Sequence, residues 1–121
     1  NDHSLGGFMD AKAKLRYEEQ ARIIKALAHP SRLMIIEELN SGKQNVSELT
    51  NLVGSDTSTV SKHLSVLKNA GLVFAEKQGT TVYYHLRMPC ILDFFGCIET
   101  VMESNAFGQM ETVISCKNRN Q

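Results

Sequence analysis

The sequence predicts a mainly α-helical domain with one small β-hairpin, which is an α+β class. Its 121 residues are enough for a single domain with one core, and 42% of them are hydrophobic. Apolar residues recur at helical spacing in several segments, and two short runs rich in β-branched and aromatic residues lie on either side of a glycine. We therefore expect about five helices and a two-stranded hairpin.

The first half of the segment from Asn45 to Gly71 predicts a short helix. Its apolar residues follow the i, i+3 and i+7 spacing of one buried helical face: Val46, Leu49 and Val53. Asn45 with Glu48 three residues later is the pattern of a capping box. The run from Gly54 to Asp56 then breaks the helix, since glycine permits a sharp turn and serine or aspartate can cap whatever follows.

The second half predicts another helix, which exposes a polar surface at its N-terminal end. Its buried face comprises Val60, Leu64, Leu67 and Ala70. Its outer face near the start comprises Thr57, Ser58, Ser61 and Lys62. Short hydroxyls and a cation at the end of a helix suit contacts with phosphates and base edges in a major groove of DNA. Serine and threonine also crowd helix starts as simple caps, and this stretch alone leaves both interpretations open.

A hairpin is predicted directly after Gly71. The runs LVFAEK and TVYYHL lie on either side of a tip at Gln78, Gly79 and Thr80. A helix-turn-helix followed at once by a hairpin is the order of a winged helix, in which the hairpin, or wing, lies beside the second helix and contacts the adjacent DNA. We therefore take Lys77, Gly79 and Thr80 as candidate DNA contacts.

Three motifs resemble the ArsR/SmtB family of bacterial winged-helix repressors. They are LAHPSRLMIIEEL at 27–39, VSELTNLVGSDTSTVSKHLSVLKNAGLV at 46–73, and the hairpin through Tyr84. The resemblance spans Ala21 to Met102. It implies a homodimer, formed through the first and last helices, that binds an inverted-repeat operator in double-stranded DNA and blocks a promoter. It also implies release by an inducer, typically a metal or metalloid ion such as arsenite, that shifts the dimer to another geometry.

Apolar faces on the first and last predicted helices are the candidate dimer interface. The stripe on the last helix is wider than the remaining chain can cover, so a partner subunit is its expected cover. The stripe on the first helix has an alternative role, which is to cover only its own core. The candidate interface residues are Tyr17, Ala21, Ile24, Ile91, Phe95, Ile98 and Met102.

Charge and composition limit the classes of function. The formal net charge is zero, with 13 basic and 13 acidic residues, so any affinity for DNA must come from local patches and depend on salt. No apolar run is long enough to span a membrane and no secretion signal is present, so we expect a cytoplasmic protein. We expect residues 1–10 to be a disordered, partly vector-derived leader with Met9 as the natural start, 11–104 the winged-helix domain, and 105–121 an extension.

Three cysteines in the last third of the chain are the candidate inducer site: Cys90, Cys97 and Cys116. An odd number without a signal peptide favours reduced thiols. If Cys90 and Cys97 share the last helix, their separation of seven residues puts them on one side and about 10.5 Å apart along the axis, too far for a disulfide.

Several roles remain open for these cysteines. Thiolates suit soft acceptors such as trivalent arsenic, Cu(I) or Zn(II), but two cysteines on a helix can also serve only for packing. The metal sites best known in the resembling family, a Cys-x-Cys at the third helix and paired histidine and acidic ligands on the last, are absent. A response to thiol oxidation, to a persulfide or to an organic ligand is therefore an alternative.

Other classes find less support. The chain lacks a phosphate-binding glycine loop, a Cys-x-x-Cys motif and a clustered acid–base pair, so we expect no enzyme and no required cofactor. A winged helix that binds protein instead of DNA is the remaining alternative. Among the histidines, we expect His63 to form a hydrogen bond at the edge of the core and His85 to be exposed on the wing. Arg32 and Lys43 are either phosphate contacts or solvated cations.

Overall fold

The computed structural model describes residues 7–107, with side chains from Asp10 onward. The chain forms two compact units, the first ending at Arg87 and the second starting at Met88. The elements of the first unit are α1 (Gly7–Leu27), α2 (Pro30–Leu39), β1 (Gln44–Asn45), α3 (Val46–Val53), α4 (Thr57–Asn69), β2 (Val73–Gln78) and β3 (Thr81–Leu86). The second unit contains α5 (Ile91–Phe107). No helix within the described residues is long and apolar enough to cross a membrane.

The core of the first unit is built from the apolar faces of its helices and from the start of strand β2. The side chains that are almost completely removed from water are Ile35, Ile36, Leu49, Val60, Leu64, Leu67 and Val73. Each of these side chains stabilises the fold by about 1.5–3 kcal/mol relative to an exposed position. On the predicted faces, Val60, Leu64 and Leu67 of α4 and Leu49 of α3 are buried. Val46, Val53 and Ala70 are only half-buried.

Local capping fixes the start of α3 and both ends of the turn between α3 and α4. The Asn45 side chain accepts a hydrogen bond from the Glu48 backbone at 2.9 Å, and the Asn45 backbone donates to the Glu48 carboxylate at 2.8 Å, which is the predicted capping box. Gly54 ends α3 in the left-handed region at φ 77°, where glycine is favoured. Asp56 then caps α4.

The wing is the predicted hairpin with a two-residue turn. Strands β2 and β3 pair antiparallel from Val73 with Leu86 to Gln78 with Thr81. Gly79 has φ 65°, and no residue other than glycine has a positive φ in the described part of the chain, so the turn has the pattern of type II′.

The sheet has a third strand that the sequence analysis did not predict. Strand β1 pairs antiparallel with β3, so the sheet order is β1-β3-β2 and the wing has three strands instead of two. The register places Gln44 opposite Tyr84 and Asn45 opposite Tyr83. Asn45 therefore belongs to the sheet through its backbone and to the start of α3 through its side chain.

Several predicted boundaries differ from the structure. Helix α1 begins at Gly7, so residues 7–10 are helical and do not belong to a disordered leader. Helix α5 continues to Phe107, three residues past the expected end of the domain. A turn precedes α5, with backbone hydrogen bonds from Ile91 to Met88 and from Asp93 to Cys90. The expected leader at residues 1–6, and the extension from 108 onward, lie outside the described residues.

Candidate nucleic-acid interface

The N-terminal end of α4 is an exposed polar surface fixed by an aspartate cap. One carboxylate oxygen of Asp56 accepts hydrogen bonds from the Thr59 backbone at 2.7 Å and from the Ser58 hydroxyl at 3.1 Å. Hydrogen bonds from the Thr59 side chain and backbone, and then from Ser58, lower the pKa of the Asp56 carboxyl, and the Lys62 charge acts in the same direction. The Asp56 carboxylate thus occupies the anion position at this helix start, so contacts with a DNA phosphate are expected from the exposed hydroxyls and Lys62 further along α4.

All residues predicted to contact DNA are exposed. They are Thr57, Ser58, Ser61 and Lys62 on α4, and Lys77, Gly79 and Thr80 on the wing. Neither Lys62 nor Lys77 forms a hydrogen bond or an ion pair with another residue in the part of the chain that the structure describes. Both ammonium groups are therefore available to phosphates. Since α4 leads through Gly71 into β2, one short stretch of chain connects the two groups of residues.

A buried histidine lies on the inner face of α4. His63 is 8% exposed, and its Nδ1 accepts from the Arg32 guanidinium at 3.3 Å, since a guanidinium has only donors. Its ring lies 4.4 Å from that of His29. The expected hydrogen bond at the edge of the core is thus present, and burial, with the adjacent His29 and Arg32 charges, lowers the pKa of His63.

Arg32 is a structural residue and not a solvated cation. Its Nε donates to the Ala26 carbonyl near the end of α1 at 2.6 Å, besides the contact with His63. His29 caps α2, because its Nδ1 accepts from the Ser31 backbone at 3.1 Å. A histidine directly before the proline that starts a helix was the sequence signal for this cap, whereas the contact between the two histidine rings has no local signal.

The wing carries a side-chain network that the sequence analysis missed. His85 was expected to be simply exposed, but its Nε2 lies 2.8 Å from a Glu76 carboxylate oxygen and its ring stacks on Phe74 with centroids 4.8 Å apart. The hydrogen bond with His85 lowers the pKa of Glu76, and Gln78 and Lys43 act in the same direction. Lys43 is also bound, donating to Gln78 at 2.7 Å.

Comparison with known proteins identifies the family. Residues 29–74 match the model described as "Bacterial regulatory protein, arsR family". The transcriptional regulator NmtR of Mycobacterium tuberculosis is 37% identical over 87 residues, which cover 69% of this chain and 72% of NmtR. The chain belongs to the ArsR family. The predicted resemblance is confirmed, and because ArsR proteins are DNA-binding regulators, the expectation that the chain is not an enzyme agrees with its family.

Two further comparisons bear on the fold and on length. The regulator Rv0324 of Mycobacterium tuberculosis is 33% identical over 101 residues, which cover 84% of this chain but only 44% of Rv0324. The solution structure of Mb0332 from Mycobacterium bovis is described as a homodimeric winged helix-turn-helix DNA-binding domain. It has a TM-score of 0.68 and 32% identity, and the match covers 83% of this chain and 92% of that one. The predicted winged-helix fold is confirmed.

The candidate inducer site is less complete than the candidate DNA-binding surface. Cys90 and Cys97 are exposed free thiols. Cys90 lies in the turn before α5 and not on the helix, so the predicted same-side spacing of two full turns does not apply. Cys116 lies outside the described residues. Among the residues that the structure describes, no group of three or more histidine, cysteine or acidic side chains is placed to hold a metal ion.

Proposed function

We propose that this ArsR protein is a transcriptional repressor that binds an inverted-repeat operator as a homodimer in the cytoplasm. The observation that supports this most is the exposed start of α4, where Lys62 is unpaired beside three hydroxyl side chains. A recognition helix of this kind enters a major groove, with hydroxyls and backbone amides on phosphates and the longer side chains toward bases. Lys77 and the wing tip then contact the flanking backbone.

Dimerisation supplies a second recognition helix, which binds the second half-site of the operator. Exposed apolar side chains lie on α1 at Tyr17 (63% exposed) and Ile24 (50%), and on α5 at Ile98 (41%) and Met102 (54%). Phe95 is buried and Ile91 half-buried, so they offer less surface to a partner than was expected. A two-fold dimer presents its recognition helices to successive major grooves about 34–36 Å apart, which matches an inverted repeat.

The test compares two charge reversals on one helix. Lys62→Glu reverses the charge at the exposed start of α4, and Lys68→Glu makes the same change in its last turn, away from the proposed contact. Binding to a fluorescent promoter fragment is measured by anisotropy at several salt concentrations. We expect Lys62→Glu to weaken binding at least about tenfold and Lys68→Glu by less than about threefold.

Circular dichroism melting shows that each variant is folded. A folded Lys62→Glu variant that binds like wild type contradicts the recognition-helix assignment. Binding to promoter DNA that does not weaken with rising salt would favour the alternative, a winged helix that contacts a protein.

For the inducer, we propose a thiophilic agent that acts on the exposed Cys90 and Cys97. Exposure makes both thiols accessible, and a soft metal or metalloid ion such as arsenite needs a further ligand from Cys116 or from the second subunit. Arsenite, Cu(I), Zn(II), Cd(II) and an oxidant or persulfide donor are added in turn to the protein–DNA complex. Release by one agent in wild type, but not in Cys90→Ser or Cys97→Ser, is expected. Release by none of them turns the search to an organic ligand.

A further inference from the structure

A chain of side-chain hydrogen bonds joins the wing to the segment before α3. Lys43 Nζ donates to Gln78 Oε1 at 2.7 Å, and Gln78 Nε2 donates to Glu76 Oε1 at 3.1 Å. The same Glu76 oxygen lies 2.8 Å from His85 Nε2. The bonds therefore run along one face of the hairpin and leave it at Lys43, which belongs to the loop after α2.

Lys43 is fixed from a second side by an aromatic ring. Its ammonium lies 4.6 Å from the centroid of the Tyr83 ring, which is within the range of a cation–π interaction. The backbone brings the two together, because the next two residues form β1 and pair with Tyr84 and Tyr83 of β3. Moving the Lys43 ammonium to a phosphate would break both its contact with Gln78 and its contact with Tyr83.

The bond from Lys43 ends next to the tip of the wing. Gln78 is the last residue of β2 and directly precedes Gly79 and Thr80, the two residues of the turn. A two-stranded ribbon has little stability of its own, so contacts outside the ribbon determine how rigid its tip is. Strand β1 reaches β3 only at Tyr83 and Tyr84, and the Lys43 side chain extends this support to the end of the hairpin.

We propose that Lys43 is a positioning residue for DNA binding, which holds the wing tip through Gln78 and Tyr83 and does not itself contact DNA. This rests on the proposed function, in which Gly79 and Thr80 meet the DNA backbone. A tip held in the bound orientation loses less conformational freedom on binding, so the bond contributes to affinity without adding a phosphate contact. Lys77 has the opposite role, because its ammonium is free to neutralise a phosphate.

The first test needs no DNA. Lys43→Met keeps a long apolar side chain on Tyr83 but removes the charge and the bond to Gln78, and Lys77→Met is the matched control on the wing itself. Amide hydrogen exchange of the free proteins is compared at residues 77–82. We expect exchange there to be about three- to tenfold faster in Lys43→Met and unchanged in Lys77→Met. Equal exchange in Lys43→Met and wild type overturns the proposal.

The second test separates positioning from phosphate contact. Operator affinity is measured against salt for wild type, Lys43→Met, Gln78→Ala and the double variant. We expect Lys43→Met and Gln78→Ala each to weaken binding about three- to tenfold, and the double variant to lose no more than Lys43→Met alone. The slope of log affinity against log salt should stay at the wild-type value in Lys43→Met and fall in magnitude by about one in Lys77→Met.

Either of two results would overturn the positioning role. One is a slope for Lys43→Met reduced as much as that for Lys77→Met, which indicates a phosphate contact. The other is additive losses in the double variant, which show that Lys43 does not act through Gln78. Failure of the proposed function is seen separately, as wild-type protein without salt-dependent operator binding. The hydrogen-exchange comparison is unaffected by that failure.

Discussion

At the scale of single residues, His63 shows how a polar side chain is accommodated on the buried face of α4. A neutral imidazole can accept the hydrogen bond from Arg32 at Nδ1, whereas a protonated one cannot. The positive Arg32 and the adjacent His29 ring both face it, and burial is the main cause of its lowered pKa. The folded state therefore prefers neutral His63, and the unfolded state binds a proton more readily.

This preference predicts a loss of stability in mild acid. A histidine whose pKa is lowered by folding stabilises the protein fully above its unfolded pKa of about 6.5, and the contribution is lost as pH falls through the lower folded value. We expect the melting temperature of wild type to fall between pH 7 and pH 5 more than that of His63→Gln, whose amide oxygen still accepts from Arg32. For His85→Gln, on the wing, the melting temperature should fall between pH 7 and pH 5 as much as for wild type. Parallel melting curves for wild type and His63→Gln would contradict this role.

At the scale of the element, α3 depends on its capping box. Asn45 and Glu48 satisfy two backbone N–H groups that an eight-residue helix would otherwise leave unpaired. We expect Asn45→Ala to destabilise the fold by about 1 kcal/mol, a fall of about 4–8 °C in melting temperature. Asn45→Asp should stay close to wild type, because aspartate caps equally well. Ser47→Ala is the control, because Ser47 lies two residues after Asn45 and takes no part in the capping box. An equal loss of stability there would count against a specific capping role.

The elements also show what the sequence could predict and what it could not. The capping box and the hairpin depend on residues a few positions apart, so their signals are local. Strand β1 has only two residues and its partner Tyr83 lies far along the chain, so no periodicity indicates it. The same separation hides the contact of Lys43 with Gln78, whereas the contacts of His85 with Phe74 and Glu76 lie within the hairpin itself. Whether Cys90 joins the last helix was left open by the apolar spacing, and the backbone hydrogen bonds from Ile91 to Met88 and from Asp93 to Cys90 form a turn there instead.

The exposure of the proposed DNA-binding surface was predictable for a related reason. The candidate contacts on α4 follow from which face of one helix is apolar, so an amphipathic pattern alone finds Thr57, Ser61 and Lys62. Which cations are free is a different question. Arg32, Lys43 and Lys62 look alike in the sequence, and only their partners in the fold distinguish the first two as structural residues from the third as an available charge.

At the scale of the whole molecule, exposed apolar side chains on α1 and α5 are the surfaces that dimerisation would cover. An inverted repeat is bound tightly when both half-sites are engaged at once, because linking two sites makes the second contact intramolecular. A monomer would retain its recognition helix and wing but lose this gain. Operator affinity should therefore depend on residues that never approach DNA.

The decisive variant is Ile24→Glu, because Ile24 is half exposed on α1. A carboxylate at this position remains solvated in the monomer. In the dimer it would be buried without a compensating charge or hydrogen bond. We expect it to fold normally, to sediment as a monomer where wild type is a dimer, and to lose at least about tenfold in affinity for the full operator. Binding to a single half-site should be unchanged. Leu33→Glu makes the same change at an exposed position on α2, outside the proposed interface, and should remain dimeric. If Ile24→Glu is dimeric and Leu33→Glu is not, the dimer forms through α2, and the spacing of the two recognition helices must be derived from that surface instead.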